Sequence, residues 1–391
     1  MKPKYLLLVV VAVLIVVGGL LASWYSARER EEELHFQRRE TQLIISGQQG
    51  TNHQLFKAEK NLREARQIAL PGSGKLWLSE GNYFLRVEQQ GGVSFYPAPL
   101  LGFRSGPDPD GTLTLTVRPA PSRVPPHLNS AEFVYIPNGQ ALIGDRMNPR
   151  EPHYVFVSAF FASPCEVTNG EFRRFVDDRG GYADDSNWAD AGKNWKAVSH
   201  SRSSARLASS EPDYKRFGRP ELPVVSVNWF EANAYAHWLT RKLGNNQWIF
   251  SLPTDAEWEK MARGPDSLDY GLSMFISDAE IPLYNWQKNP DVPVTTVPCQ
   301  AQGYVPNRYG LYHLSGNVAE WTQSLYRSYS KQTPYTDDDR NRDDLAGRRS
   351  ARGGSWYSAT SAPLYIPYRD AFQPEHNGED LGFRVVARLK P

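Results

Sequence analysis

The stretch Tyr309-Gly-Leu-Tyr-His-Leu-Ser-Gly-Asn-Val-Ala-Glu-Trp321 is the most informative part of this chain of 391 residues. Its centre, Gly316-Asn-Val-Ala-Glu320, has the composition of a polar turn, and Trp321 follows it directly. Large aromatic side chains usually pack in the core of a fold, so we expect Trp321 to be buried. Carbonyl oxygens and a carboxylate on one loop are ligands that Ca²⁺ prefers, so the turn is also a candidate calcium site.

Further blocks of distinctive sequence lie on both sides of this stretch. In chain order they are Phe133–Gly144, Glu166–Phe172, Pro223–Trp229, Leu252–Glu259, Arg352–Ser355 and Leu381–Arg384. Together with the opening stretch they resemble, in form and in order, the formylglycine-generating (sulfatase-modifying) enzyme family. The resemblance covers a domain at residues 131–391 and implies an α+β, C-type-lectin-like fold with little regular secondary structure.

The resemblance also indicates where catalysis would occur. A formylglycine-generating enzyme holds Cu(I) between two thiolates shortly after a Gly-Gly-Ser motif, and the matching positions here are Ser358 and Pro363. A hydroxyl is a poor ligand for the soft Cu(I) ion, and Pro offers no donor. We therefore expect neither bound copper nor formylglycine formation. The remaining polar candidates in the groove are Ser355, Tyr357 and Arg369.

The family binds Ca²⁺ at the central turn, and the resemblance places the ligands on the carbonyls of Gly316 and Val318 and on the Glu320 carboxylate. His313 stands where the family usually has Asn or Asp, and imidazole is a poor ligand for Ca²⁺. The alternative is that Glu320 and Asn317 only hydrogen-bond loop amides.

A second family calcium site would begin at Asn285 and continue with the carbonyl of Trp286. The acidic loop that completes it in the family is shorter here, so Asn289 and Asp291 are the nearby candidate ligands. The sequence thus predicts at most a reduced second site.

The composition indicates a loop-rich fold stiffened by aromatic packing. Aromatic residues make up 12% of the chain, with 11 Trp, and there are 30 Gly and 29 Pro. The formal net charge is +1, so no electrostatic argument points to nucleic acid as a partner.

The N-terminus predicts the compartment. Residues Tyr5–Ala22 form an uncharged apolar run, about the length that crosses a bilayer, preceded by Lys2 and Lys4. We expect a transmembrane signal anchor over residues 1–25, with the bulk of the chain in the periplasm or extracytoplasmic space. The alternative is a cleaved signal peptide, against which the large Leu20 argues.

Three segments separate the anchor from the large domain. Residues 26–69 are rich in charged side chains and predict a helical spacer, and residues 70–118 show short apolar runs typical of a small β-sandwich. Residues 119–130 form a Pro-rich linker. In the large domain we expect helices over Asn169–Asp178 and Trp229–Leu243, and a third helix capped by Thr254.

The chain has two cysteines, Cys165 and Cys299. In an oxidising compartment they could form a disulfide, and the alternative is two buried free thiols. Neither cysteine matches a copper-ligand position of the family.

These observations favour a membrane-anchored extracytoplasmic protein whose catalytically degenerate domain binds a peptide or protein within an envelope complex. The partners would be other envelope proteins or peptides and the inner membrane. The alternative function is an oxidoreductase of a different, non-copper-thiolate type, acting on a small molecule or peptide in the same groove. Carbohydrate binding rests on the lectin-like fold alone.

Overall fold

The computed structural model describes most of the chain. The described residues are 16–17, 20–31, 34–35, 38–47, 52–89, 92–102, 106–128, 132–146, 148, 152–199, 202–289, 294–327 and 346–390. Within these ranges no helix has both the length and the apolar character that a membrane crossing requires. The predicted anchor over Tyr5–Ala22 lies mostly outside the described residues.

The chain divides into two compact units. The first unit comprises residues 1–45, 71–81 and 100–114, and the second comprises residues 46–70, 82–99 and 115–391. In the first unit, strand β1 (Thr41–Gly47) pairs antiparallel with strand β4 (Lys75–Leu78). The strands predicted within residues 70–118 are therefore shared between the two units.

The predicted helical spacer over 26–69 is wrong for most of its length. Residues 20–31 are helical, but β1, β2 (Asn52–Ala58) and β3 (Ala65–Ile68) are strands. The physical reason is that Leu43 and Leu55 are fully buried in sheets. The charged residues that suggested a solvated helix lie before β1 or after Leu55, and many of them, such as Glu59 and Lys60, are exposed.

In the second unit, β2 and β3 join β5 (Gly81–Gln89) and β6 (Gly92–Leu100) in a sheet with the order β3-β2-β5-β6. Arg308 connects this sheet to the rest of the unit. Its Nη2 donates to the carbonyl of Leu62 at 2.8 Å, and its guanidinium lies 4.8 Å from the ring centroid of Phe84. The sheet is thus integrated with the large domain.

The remaining strands are short. They are β7 (Leu113–Val117), β8 (Val134–Ile136), β9 (Gly139–Ile143), β10 (His153–Val157), β11 (Phe160–Ala162), β12 (Trp248–Ser251), β13 (Ala319–Leu325), β14 (Arg349–Arg352), β15 (Asp370–Phe372), β16 (Leu381–Gly382) and β17 (Val386–Leu389). One sheet has the order β12-β17-β11-β8 and another the order β15-β14-β13-β16. The second of these sheets carries the central turn and the Gly-Gly-Ser motif at its strand ends.

The two apolar runs of the block Phe133–Gly144 predict a strand pair, but the two strands do not pair with each other. Strand β8 pairs with β11, whereas β9 pairs with β10. The two runs are strands, as predicted, but Asn138 and Gly139 lead the chain from one sheet to another instead of closing a hairpin.

The described part of the large domain contains four α-helices: α1 (Asn169–Asp177), α2 (Asp190–Val198), α3 (Trp229–Leu243) and α4 (Asp255–Arg263). Three of them match the predictions, and the capping box of Thr254 with Glu257 is confirmed. Single helical turns occur at Asp185–Asn187, Ser204–Arg206, Tyr214–Gly218 and Ile281–Leu283.

The predicted aromatic core is confirmed. Trp229, Trp258 and Trp321 are fully buried. Their indole nitrogens all donate hydrogen bonds: Trp229 to the carbonyl of Thr322 at 2.9 Å, Trp258 to the carboxylate of Glu320 at 2.7 Å, and Trp321 to the carbonyl of Val227 at 3.0 Å. Truncating a buried aromatic of this size typically costs about 3–5 kcal/mol, so these residues hold the irregular loops in place.

Buried ion pairs link helix α4 to strand β14. Arg352 donates to Asp255 at 2.8 Å and to Glu259 at 2.9 Å, and Arg263 donates to Glu259 and to the carbonyl of Gly144. The planar guanidinium of Arg263 thus holds both a carboxylate and a loop carbonyl. This network fixes strand β14, and with it the motif that follows.

Candidate functional site

A groove with a volume of about 190 Å³ lies directly after strand β14. Gly353 and Gly354 have φ values of +92° and +63°, which only glycine adopts readily. A Cβ on Gly354 would lie 2.8 Å from the carbonyl carbon of Pro363. The two glycines therefore turn the chain so that residues 355–358 face Pro363 across the groove.

Hydroxyl groups line one wall of the groove. The Ser355 hydroxyl donates to Asp380 Oδ2 at 2.9 Å, and the Ser358 hydroxyl accepts from the Ser355 amide at 3.0 Å. The neighbouring Tyr357 is 62% exposed, and its amide donates to the Ser355 hydroxyl at 3.2 Å. This wall thus offers fixed hydrogen-bonding groups beside an aromatic side chain that is open to solvent.

The opposite wall carries an imidazole and a second carboxylate. His376 stacks on Phe372 with ring centroids 4.4 Å apart, and both residues line the groove. Burial raises the pKa of Asp370, and the nearby charge of Asp380 adds to this shift. The groove therefore has two carboxylates, Asp370 and Asp380, and an aromatic side chain, Phe372, in its lining.

The structure brings together four of the predicted groove residues and leaves one out. Ser355, Tyr357, Ser358 and Pro363 all line the groove. Arg369 does not: its Nη1 donates to the carbonyl of Arg327 at 2.7 Å, and its guanidinium lies 5.0 Å from the ring of Tyr326. The Arg369 guanidinium thus contacts the residues that directly follow strand β13 and does not line the groove.

Sequence reasoning missed Phe372 and Asp380 as groove residues. Asp380 immediately precedes the Leu381–Arg384 block, and this position was the available signal. Strand β16 pairs in parallel with β13, and that pairing brings Asp380 beside the hydroxyl of Ser355. Such a contact between distant segments is invisible to spacing alone.

The donor set of the groove does not fit Cu(I). Ser358 and Pro363 offer no thiolate, and the only two cysteines of the chain, Cys165 and Cys299, form a disulfide. Of the two alternatives that the sequence left open for these cysteines, the structure has the disulfide. It closes a sequence separation of 134 residues.

The calcium site predicted at Glu320 does not fit the structure. Both carboxylate oxygens of Glu320 are held by Arg384, at 2.6 and 2.7 Å, and Trp258 Nε1 donates to one of them at 2.7 Å. The carboxylate thus has a cationic partner already. The amide of Gly316 donates to the carbonyl of Gly353 at 2.8 Å, which ties the turn to the Gly-Gly-Ser motif.

The two predicted calcium segments meet at one residue, Asn317. Asn285 Nδ2 donates to Asn317 Oδ1 at 3.0 Å, and the Asn317 amide donates to the carbonyl of Asn285 at 2.8 Å. The side-chain oxygen of Asn285 is buried and accepts no hydrogen bond. This single acceptor fits a cation. The carbonyl of Trp286, the other predicted ligand, already accepts from the Asn289 amide at 3.0 Å, and Asp291 lies outside the described residues.

A buried polar cluster surrounds the central turn. Asn317 Nδ2 donates to Glu166 at 2.9 Å, and His313 Nε2 lies 2.8 Å from the carbonyl of Cys299. Burial raises the pKa of Glu166, with Arg384 opposing the shift. Burial lowers the pKa of His313 to about 4, so its imidazole is neutral at physiological pH. None of these residues lines the groove.

Within the part of the chain that the structure describes, no three His, Cys, Asp or Glu residues are grouped so as to hold a metal ion. The chemistry that the groove itself offers is hydrogen bonding, carboxylate charge and aromatic contact.

Comparison with known proteins assigns the chain to a family. A family model described as a sulfatase-modifying factor enzyme 1-like domain matches residues 119–389. The match begins within the predicted linker, earlier than residue 131. Among solved structures, Treponema denticola variable protein 1 aligns over 69% of this chain and 100% of its own, with a TM-score of 0.50 and 23% identity. That similarity concerns the fold alone.

The curated relatives carry several activities in their names. A formylglycine-generating enzyme of Streptomyces coelicolor is 26% identical over 65% of this chain and 88% of its own. A hercynine oxygenase of Mycolicibacterium thermoresistibile is 30% identical over 56% of this chain and 48% of its own. The serine/threonine-protein kinase pkn1 of Chlamydia caviae is 28% identical over 66% of this chain, a match that spans only 38% of the kinase.

Proposed function

Because the chain belongs to the sulfatase-modifying factor enzyme 1-like family, we propose that its groove binds a peptide segment of a partner protein without copper–thiolate chemistry. The observation that carries the proposal is the combination of a groove of about 190 Å³ with a chain whose only two cysteines are joined in a disulfide. The family scaffold is retained, while the thiolates that copper chemistry requires are missing.

The shape and chemistry of the groove support a peptide as its occupant. Ser355 and Ser358 offer hydroxyls that can pair with backbone amides or carbonyls, and Tyr357 offers an exposed ring against which a side chain can pack. Asp370 and Asp380 make the groove acidic, which favours peptides with a basic residue.

The N-terminal sequence supports a proposal for where in the cell the peptide would be bound. The apolar run at Tyr5–Ala22 would anchor the chain in the inner membrane, with the domain in the periplasm or extracytoplasmic space. There the partner would be another protein or peptide of the envelope. A bound Ca²⁺ would have to use Asn285, because both carboxylate oxygens of Glu320 already accept hydrogen bonds from Arg384.

The catalytic part of the proposal is tested directly by an activity assay. The full chain is incubated with a cysteine-containing sulfatase peptide, copper and oxygen, and the peptide is analysed by mass spectrometry. The Streptomyces coelicolor relative serves as the positive control. We expect no formylglycine from this chain, and formylglycine at a rate approaching that of the control would contradict the proposal.

The alternative is an oxidoreductase that acts in the same groove without thiolates. The similarity to a hercynine oxygenase favours it. Elemental analysis of the purified protein separates the two functions, because stoichiometric iron or copper would support an enzyme. Calcium alone, or no metal, would support a binding module.

A further inference from the structure

A second and larger cavity, with a volume of about 440 Å³, shares no lining residue with the groove. Its apolar wall consists of Leu128, Phe133, Leu239, Leu243, Phe250 and Val385, and the disulfide between Cys165 and Cys299 forms another part of the lining. Binding sites for small molecules typically have volumes of about 300–1,000 Å³ and a mostly apolar lining. The cavity has the size and character of such a site.

The charged groups of the lining are almost all acidic. Glu166, Glu171 and Glu221 line the cavity together with His127, and no Lys or Arg occurs among the described lining residues. We propose that this cavity is a binding site for a small amphipathic amine, that is, a protonated amino group on a hydrocarbon body.

Glu166 supports the choice of a cation. It is 2% exposed, and while one of its carboxylate oxygens accepts from Asn317 at 2.9 Å, the other is buried and accepts no hydrogen bond. A buried carboxylate oxygen without a donor is costly, and an ammonium group supplies both a donor and a compensating charge. Burial raises the pKa of Glu166 and also that of Glu171, because it destabilises their ionised forms. A cation bound beside these carboxylates would stabilise the ionised forms.

The walls of the cavity are held in place by the scaffold. Arg174 of helix α1 donates to the carbonyl of Leu128, which fastens the linker segment against the domain. The amide of Ser163 donates to the carbonyl of Val385 at 3.0 Å, which fixes the segment that leads to Cys165. A site that is formed before its ligand arrives loses less conformational entropy on binding.

The test uses three probes of similar shape and different charge: 2-phenylethylamine, 2-phenylethanol and 3-phenylpropanoate. Each is titrated into the full chain and followed by ligand-observed NMR. We expect the amine to bind at least tenfold more tightly than the alcohol, and the propanoate to bind most weakly. Equal affinities for the amine and the alcohol would overturn the proposal, because the cavity would then recognise only the hydrocarbon.

Variants locate the site. Glu166→Gln should reduce the affinity for the amine at least tenfold and leave that for the alcohol unchanged, whereas Glu59→Gln, at an exposed position outside the lining, should change neither. Leu243→Trp, a partly buried lining position, should fill the cavity and abolish binding of all probes. Retained amine affinity in a folded Glu166→Gln protein would contradict the proposal. Tyr357→Ala should leave the affinity for the amine unchanged, since Tyr357 lies in the groove and not in the lining of the cavity.

Discussion

Arg384 holds both carboxylate oxygens of Glu320, at 2.6 and 2.7 Å, in an environment from which water is excluded. The same guanidinium donates to the carbonyls of Ser163 and Tyr312. One side chain thus ties the central turn to the segment before Cys165. Arg384 thus binds the carboxylate that the family resemblance assigned to Ca²⁺. The turn therefore connects segments of the fold.

Replacing Arg384 should therefore be costly. The variant Arg384→Met leaves Glu320 as a buried charge without its partner, and breaking such a pair typically costs about 3–5 kcal/mol of unfolding free energy. Urea unfolding followed by tryptophan fluorescence measures the loss. Lys193→Met is the matched control, because the Lys193–Asp190 pair is exposed and solvent screens it, so its loss should leave the unfolding free energy almost unchanged. A loss below about 1 kcal/mol for Arg384→Met would show that Glu320 has another partner.

The stability of the domain should fall as the pH is lowered from about 6.5 to about 4, partly because of His313. Burial lowers the pKa of His313 to about 4, so in this window the unfolded chain binds a proton that the folded chain does not. The difference from the usual value near 6.5 corresponds to about 3 kcal/mol at the acidic end.

The pH effect is isolated by comparing the wild type with His313→Gln in urea unfolding at pH 7 and pH 4.5. The variant should lose less stability than the wild type over this interval. Glu166 acts in the opposite direction, because its raised pKa gives a contribution that is present at acid pH and lost as the pH rises. Since Glu166 is unchanged in the variant, the difference between the two proteins reports on His313. Parallel pH profiles would contradict the assignment.

Reduction of the disulfide should destabilise the folded domain. Cys165 and Cys299 are 134 residues apart, and the loop-entropy model gives about 4–5 kcal/mol for closing a loop of that length. Thermal unfolding with and without a phosphine reductant measures the effect. The double variant Cys165→Ala/Cys299→Ala should already be destabilised and should show no response to the reductant. An unchanged melting temperature for the reduced wild type would contradict the prediction.

The sequence predicted the parts of the fold that depend on local patterns. Helix α3 and the capping box at Thr254 were predicted because their signals lie within a few residues of each other. The burial of Trp229 and Trp321 followed from the size and apolar character of indole.

The errors arose where distant segments decide the outcome. Strand β2 was taken for a solvated helix because of the charged residues that follow it in the sequence, such as Glu59 and Lys60, whereas the strand is formed by its pairing with the distant β5. Arg369 was placed in the groove from its position after the Gly-Gly-Ser motif, but the carbonyl of Arg327 holds it elsewhere. Asp380 was missed for the same reason, since only the pairing of β16 with β13 brings it to Ser355.

The central claim, that the groove binds a partner peptide, is tested most directly by site-specific photo-crosslinking. A benzophenone amino acid is placed at Tyr357 in the groove, or at Phe275, which is 50% exposed and lies outside the groove lining. The full chain is then crosslinked in its native cells, and the captured protein is identified and purified. We predict a discrete crosslinked protein from position 357 only, whose affinity falls at least tenfold in Tyr357→Ala and is unchanged in Phe275→Ala. Equal crosslinking from both positions, or full affinity in Tyr357→Ala, would contradict the account.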